Sequence, residues 1–213
     1  MSNPYIPDWS SDIGSQVRSI LGSELADTWL PRQSVSVDSI QNLEIRTTTP
    51  DDPTDGDEFV CQPADGIVWK FRYNATSTSD YKWEFIGGAA LFDEVGGDSS
   101  ANSTTTSTSP TDLTVVGPQV TVPFAGEYEV TLSVNSVNTT AGSWSYAAVK
   151  IANAATSEFN CGVWTQNTNN TTGATTDILT CLANDTLKVR YWVSANTGGW
   201  KHRRLKVIPR RIS

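Results

Sequence analysis

The stretch Val120-Thr-Val-Pro-Phe-Ala-Gly-Glu-Tyr-Glu-Val-Thr-Leu-Ser-Val134 decides the fold of this chain. From Tyr128 to Val134 every second residue is apolar and the residues between them are Glu, Thr or Ser, which is the period of a strand with one buried face. Residues 180–193 repeat the pattern, because Leu187, Val189, Tyr191 and Val193 alternate with Lys188, Arg190, Trp192 and Ser194. Turn-forming residues precede both runs, at 123–126 and 183–185. The two runs therefore predict two strands that bury one face each.

Further β-rich pieces lie at residues 144–151, 158–164 and 177–182, and a last strand holds Leu205 and Val207 and runs up to Pro209. Together they make seven or eight short strands with turn residues at the spacing typical of sandwiches and barrels. No helical period competes with this pattern between residues 112 and 213. The strand pattern therefore predicts a β-sandwich or a β-barrel over 112–213.

Three motifs in this region carry a family resemblance. They are Pro123-x-Ala-Gly-x-Tyr-x-Val130, Asn184-Asp-x-Leu-x-Val189 and the closing Val-Ile-Pro209. They resemble the jelly roll of the complement globular-head and tumour-necrosis-factor superfamily, versions of which tip many bacteriophage fibres and spikes, and the resemblance covers roughly half of the chain. Where that superfamily usually has Gly-Asp, this chain has Asn184-Asp185, and Asn also tolerates positive φ. The resemblance implies a homotrimer with a binding or structural role.

Residues 35–96 predict a small antiparallel β module with strands at 58–62, 66–73 and 81–86. Trp69, Phe71 and Tyr73 share one face of the middle strand. Tyr81, Trp83 and Phe85 alternate in the next strand and are expected to pair with them. Exposed aromatic rings can stack on sugars, but a sheet this small needs them as its core, which is the favoured interpretation. The phrase from Asp57 to Phe92 also resembles a small β module of structural proteins of tailed phages, including fibre and minor tail proteins.

The remaining segments predict a linker and an anchor. Residues 97–111 are Ser/Thr-rich and almost without apolar side chains, so they predict a flexible linker that does not pack. Residues 1–34 predict an amphipathic helix that ends at Pro31. One face of this helix carries an apolar stripe, which consists of Ile13, Val17, Ile20, Leu21, Leu25 and Trp29. The stripe either packs on residues 35–95 or anchors the chain to a larger assembly by docking on a capsid or tail protein.

Charge is distributed unevenly along the chain. Residues 1–98 carry 17 acidic and 6 basic side chains, whereas residues 99–213 carry 6 and 9, and the acidic front half argues against a nucleic-acid partner. The basic side chains of residues 201–211 are expected to form a solvated strand edge or to pair with acidic groups of a neighbour, and a polyanion is the alternative. No secretory leader and no membrane-spanning run is predicted, so synthesis in the host cytoplasm is expected.

The residues for catalysis are sparse. Cys61, Cys161 and Cys181 have no metal-ligand spacing, and His202 is the single histidine, so we expect no metal, no cofactor and no enzyme activity. The thiols are expected to be buried, and whether Cys161 and Cys181 pair is left open.

These observations support a virion structural protein: an N-terminal anchor, a β module, a linker and a trimeric jelly-roll head of a fibre or spike that attaches to host-surface glycan. Two alternatives stay open, a purely architectural capsid decoration or collar protein, and a cytokine-like or lectin module of cellular origin. Candidates for the trimer interface or the glycan surface are Trp144, Trp164, Trp192 and Trp200. Among them Trp192 is favoured, because its phase opposes the apolar face of its strand.

Overall fold

Strands make up almost all of the regular structure. The computed structural model describes residues 45–96, 103–151, 160–166 and 168–213, and the predicted N-terminal helix lies outside these residues. Thirteen strands follow in chain order: β1 (Ile45–Arg46), β2 (Glu58–Ala64), β3 (Ile67–Tyr73), β4 (Trp83–Gly88), β5 (Leu91–Val95), β6 (Thr104–Thr105), β7 (Gln119–Thr121), β8 (Gly126–Asn138), β9 (Ser145–Ile151), β10 (Asn160–Thr165), β11 (Thr171–Cys181), β12 (Thr186–Val193) and β13 (Gly198–Ile212).

The strands form two sheets that pack as a sandwich. Sheet I runs in the order β1-β2-β3-β4-β13-β8-β11, with β5 and β6 also paired to β13, and sheet II runs β10-β9-β12-β7. Within residues 104–213, β6, β13, β8 and β11 face β7, β12, β9 and β10, and the chain crosses between the sheets at most connections. This eight-stranded arrangement is a jelly roll, so the predicted fold class is confirmed.

The core lies between the two sheets, where the predicted alternation places it. The inward side chains of β8 and β12 are at most 1% exposed, and they are Tyr128, Val130, Leu132, Val134, Leu187, Val189, Tyr191 and Val193. Tyr191 on sheet II contacts Trp200 on sheet I, with 5.2 Å between ring centroids. Asn184, in the turn before β12, has φ 65°. This is the left-handed conformation expected at the position where the superfamily usually has Gly.

The aromatic side chains of β2 to β4 are core residues, as favoured from the sequence. Trp69 and Phe71 are fully buried, and their outward neighbours Val68 and Arg72 are exposed. Phe59 and Phe71 each contact Phe124 of the segment before β8, with centroid distances of 6.4 and 6.5 Å. The apolar core of the β module is therefore continuous with that of the jelly roll.

Strand β13 joins the two parts of sheet I. One of its edges pairs with β8, and the other pairs in turn with β6, β5 and β4. Residues 45–213 accordingly form one compact unit.

The described part of the predicted linker packs against the jelly roll. Thr104 pairs with Gly199, the Ser107 carbonyl accepts a hydrogen bond from the Val193 amide at 2.9 Å, and Thr111 exchanges two backbone bonds with Tyr191. The expectation that this segment does not pack is therefore wrong for residues 103–111. Backbone hydrogen bonding to strand edges needs no apolar side chain, which explains why composition misled the prediction.

Candidate ligand-binding surface

Three strands of sheet II place an aromatic side chain at the same level. Trp164 of β10 lies directly opposite Tyr146 of β9, and Tyr146 lies directly opposite Trp192 of β12. All three alternate with buried residues, so they point away from the core. We call Trp164, Tyr146 and Trp192 the aromatic row.

The rings of the aromatic row are not equally exposed. Tyr146 and Trp192 stack on each other, with centroids 5.1 Å apart and ring planes at 10°, so each covers one face of the other. Trp164 is 63% exposed. An exposed indole offers a flat apolar surface whose burial against the C–H groups of a sugar ring removes apolar area from water. Trp164 is therefore the strongest stacking residue of the row.

The structure brings two of the four candidate tryptophans together and separates the others. Trp164 and Trp192 belong to the aromatic row, whereas Trp144 is half-buried just before β9, where its backbone amide donates to Oγ of Ser194 at 2.8 Å. Trp200 is fully buried against Tyr191, so the prediction that it contributes to an outer surface is wrong. A bulge in β13 between Trp200 and Arg203 alters its phase, which the sequence does not reveal.

Tyr146 was not predicted, although it contributes to the row. A signal was present, because Tyr146 alternates with Ser145 and Ala147 in a predicted strand. What the sequence cannot supply is the register that sets Tyr146 between two tryptophans of other strands.

Small residues flank the aromatic row on one side. Gly162 and Ala148 lie opposite each other, two residues along from Trp164 and Tyr146, and Arg190 continues this level on β12. A Cβ atom at Gly162 would lie 4.0 Å from Cζ3 of Trp164 and 3.6 Å from Cβ of Ala148. Atoms of the Trp164 indole and of Ala148 therefore already lie beside Gly162, and Ala148 is only 2% exposed.

Basic side chains form the next level of the same face. Lys150 of β9 lies directly opposite Lys188 of β12. Asp112 pairs with Nζ of Lys188 at 3.0 Å and with Nη1 of Arg190 at 3.3 Å, and the Pro110 carbonyl accepts a bond from Nη2 of Arg190. We call Lys150, Lys188 and Arg190 the basic cluster. The basic cluster and Asp112 together hold three cations and one carboxylate, so their net charge is positive.

The basic residues of β13 lie elsewhere, and two of the six, Arg204 and Arg211, pair with carboxylates of the same chain. Arg204 pairs with Glu94 at 2.9 Å, and Arg211 lies 3.6 Å from Glu84 and 3.9 Å from Glu127. For these two arginines the acidic partners come from the same chain, whereas the sequence predicted a solvated strand edge or acidic groups of a neighbour. Arg203 is buried in the core, and Lys206 and Arg210 are exposed.

The three cysteines are buried free thiols. Burial raises the pKa of Cys61 and of Cys181 to about 12 and that of Cys161 to about 11. Thiols with such pKa values carry almost no thiolate near neutral pH, and the thiolate is the reactive form. Their arrangement therefore suits packing and gives no nucleophile.

Other chemical groups on the described residues are few. No group of three or more His, Cys, Asp or Glu is placed to hold a metal ion within the described ranges. Among those residues no helix has the length and apolar character to cross a membrane. His202 is exposed in a depression with Ser133, Asn135, Thr172 and Arg204.

The surface described above belongs to a jelly-roll β-sandwich, and comparison with known proteins adds similarities at the level of the fold. No protein-family model matches the chain, and no curated protein sequence matches it. An Eiger TNF structure from S. frugiperda is 14% identical, with a TM-score of 0.43, and the match covers 59% of this chain and 95% of that one.

Two further structures are similar. A carbohydrate-binding module from a Cellvibrio mixtus lichenase, in complex with cellotriose, is 13% identical, with a TM-score of 0.29 and coverage of 71% of this chain and 97% of that one. A structure of infectious bursal disease virus is 7% identical, with a TM-score of 0.32 and coverage of 66% and 38%. At these TM-scores the similarities show nothing about the function of this chain.

Proposed function

We propose that this protein is a structural component of a bacteriophage virion, a trimeric fibre- or spike-like appendage. Its N-terminal region contacts a capsid or tail protein, and its jelly-roll head binds glycan on the host surface. The observation that carries the binding role is the aromatic row, in which Trp164 is 63% exposed on the outer face of sheet II. The virion assignment and the trimer rest on the sequence motifs of residues 57–92 and 123–209 described above.

Weak individual contacts suffice in such an appendage. One exposed indole and a few polar groups give low affinity, but three heads held together convert the second and third contacts into intramolecular ones. The effective concentration for these later contacts is set by the spacing of the heads, so avidity rises without any new contact on a single chain. Attachment would therefore depend on trimerisation and on Trp164 together.

The test combines the mass of the full chain with binding to bacterial surface glycans. We expect light scattering after size exclusion to give three times the chain mass of 23.1 kDa at micromolar concentration. On an array of bacterial surface glycans, the trimer is expected to bind a subset, and Trp164→Ala is expected to weaken that binding about tenfold. Phe92→Ala is the matched control. Phe92 is 55% exposed but belongs to sheet I, whereas the aromatic row belongs to sheet II.

Each outcome of this test separates the proposals. A trimer that binds no glycan would favour the architectural decoration or collar role. A monomer would remove the trimeric appendage, and binding that Trp164→Ala leaves intact would remove the role of the aromatic row.

The anchoring role of the N-terminal region is tested in particles. Leu21→Asp places a charge in the predicted apolar stripe and is expected to prevent incorporation into virions. If incorporation is unchanged, the stripe does not anchor the chain.

A further inference from the structure

The outer face of sheet II combines an aromatic row with a basic cluster, and this combination restricts the ligand. The rows are set by strand register: Trp164, Tyr146 and Trp192 at one level, then Gly162, Ala148 and Arg190, then Lys150 and Lys188. Two residues along a strand span about 7 Å. The exposed indole and the Lys150 side chain therefore lie on the same face, about two such steps apart.

The charge of this face is not neutralised within the described part of the chain. Asp112 pairs with Lys188 and Arg190, whereas Lys150 has no ion-pair partner among the described residues. Like charges directly opposite each other on neighbouring strands are unfavourable, and Lys150 faces Lys188 in this way. An additional anion beside Lys150 would relieve that repulsion, as Asp112 does on the other side of Lys188.

The opposite face of the sandwich differs. On sheet I the arginines Arg204 and Arg211 lie beside Glu94, Glu84 and Glu127, so cations and carboxylates alternate there. It also has an exposed aromatic ring, Phe92, which lies opposite one exposed lysine, Lys206, whereas sheet II holds a cluster of three cations. Sheet II therefore has the charge complementarity for an acidic ligand, and sheet I provides control positions.

We propose that the outer face of sheet II binds an acidic polysaccharide that carries uronic-acid carboxylates. One sugar ring of the polymer stacks on the exposed indole of Trp164, and a carboxylate of the polymer pairs with Lys150, next to Lys188. This inference rests on the proposed glycan-binding function and names the class of glycan. Carboxylate recognition follows from the way Asp112 already bridges two cations of this cluster.

The experiment uses the full chain and two forms of one polymer. The probe is a polygalacturonate oligomer, and the matched neutral ligand is the same oligomer after reduction of its carboxyl groups. Affinity is measured by calorimetry at low and at high salt. We expect binding of the acidic form only, and we expect it to weaken as salt screens the exposed charges.

Two pairs of variants locate the site. Lys150→Gln is expected to weaken binding about fivefold, the loss of one exposed ion pair, whereas Lys206→Gln, an exposed lysine on sheet I, should leave it unchanged. Trp164→Ala is expected to weaken binding about tenfold, and Phe92→Ala should not. All four positions are at the surface, and unchanged thermal unfolding of each variant would show that folding is not the cause.

Four results would overturn the inference. Equal affinity for the acidic and the reduced oligomer would mean that this face does not select carboxylates. Equal effects of Lys150→Gln and Lys206→Gln would mean that only the overall charge matters. Failure to bind polygalacturonate by a chain that binds neutral glycans on the array would refute the acidic ligand and leave the proposed function intact, whereas no binding in either assay would refute both.

Discussion

Arg203 is a fully buried cation that backbone carbonyls hold in place. It is 1% exposed, and its Nη1 donates to the Val115 carbonyl at 2.9 Å and to the Gly117 carbonyl at 3.1 Å. The guanidinium carbon lies 5.5 Å from the ring centroid of Tyr191, whose hydroxyl also donates to Gly117. Arg203 therefore fastens the segment that leads into β7 onto the core.

Replacing Arg203 is expected to destabilise the protein far more than replacing its neighbour. Arg203→Met removes charged hydrogen bonds and leaves the Val115 carbonyl without its donor, so the free energy of unfolding should fall by about 1.5–3 kcal/mol. Arg204→Met is the control, because Arg204 points to solvent and its ion pair with Glu94 is worth at most about 1 kcal/mol. Urea unfolding of both variants measures the difference, and equal losses would contradict this role of Arg203.

At the scale of the residue, the sequence predicted which side chains face the core, but it did not predict which residues they contact. Leu205 and Val207 were predicted to face inward, and the same period of two places Arg203 inward. The burial of Arg203 was not predicted, because a charged side chain is ordinarily expected at the surface. The outward phase of Trp192 was also readable from the sequence. Its stacking on Tyr146 depends on the register between β9 and β12, which no pattern within one strand specifies.

At the scale of the element, β8 is the strand whose sequence determined the most. It was predicted from alternation, and it extends to Asn138 between β11 and β13. Strand β11 begins at Thr171, earlier than the predicted start at residue 177, because a Thr-rich edge strand needs no apolar alternation. Strand β5 was missed, since its main contact is the distant β13.

The start of β8 requires a glycine. A Cβ atom at Gly126 would collide with the backbone carbonyl oxygen of Arg211 and would lie 2.9 Å from Cα of Ile212, both in the paired strand β13. Because backbone atoms cannot turn away as a side chain can, Gly126→Ala should lower the free energy of unfolding by about 1–3 kcal/mol.

Gly87→Ala is the matched control for Gly126→Ala. Gly87 lies in β4 with nothing within 4 Å of an added Cβ, so its replacement should be neutral or slightly stabilising. Thermal unfolding of the two variants decides the matter, and similar midpoints would mean that β8 and β13 can separate at Gly126 without cost.

At the scale of the whole molecule, the sequence predicted the sandwich but not how its parts join. Composition suggested a boundary at residues 97–111, because Ser and Thr are typical of linkers. The structure instead pairs β4, β5 and β6 with one edge of β13, and it packs Phe59 and Phe71 against Phe124. Contacts between distant segments create this continuity, so no local pattern could indicate it.

This continuity predicts how two shortened chains behave. A chain of residues 112–213 loses every described strand that pairs with the outer edge of β13, a strand of 15 residues, and it exposes Phe124 and Tyr128. Unpaired backbone groups on a long edge are a template for association with other chains. We therefore expect residues 112–213 to aggregate or to unfold at a lower temperature than residues 45–213, as measured by light scattering and thermal unfolding. Equal midpoints and a soluble 112–213 chain would instead show that the jelly roll folds without the β module, and in that case the boundary at residues 97–111 would separate two independent domains.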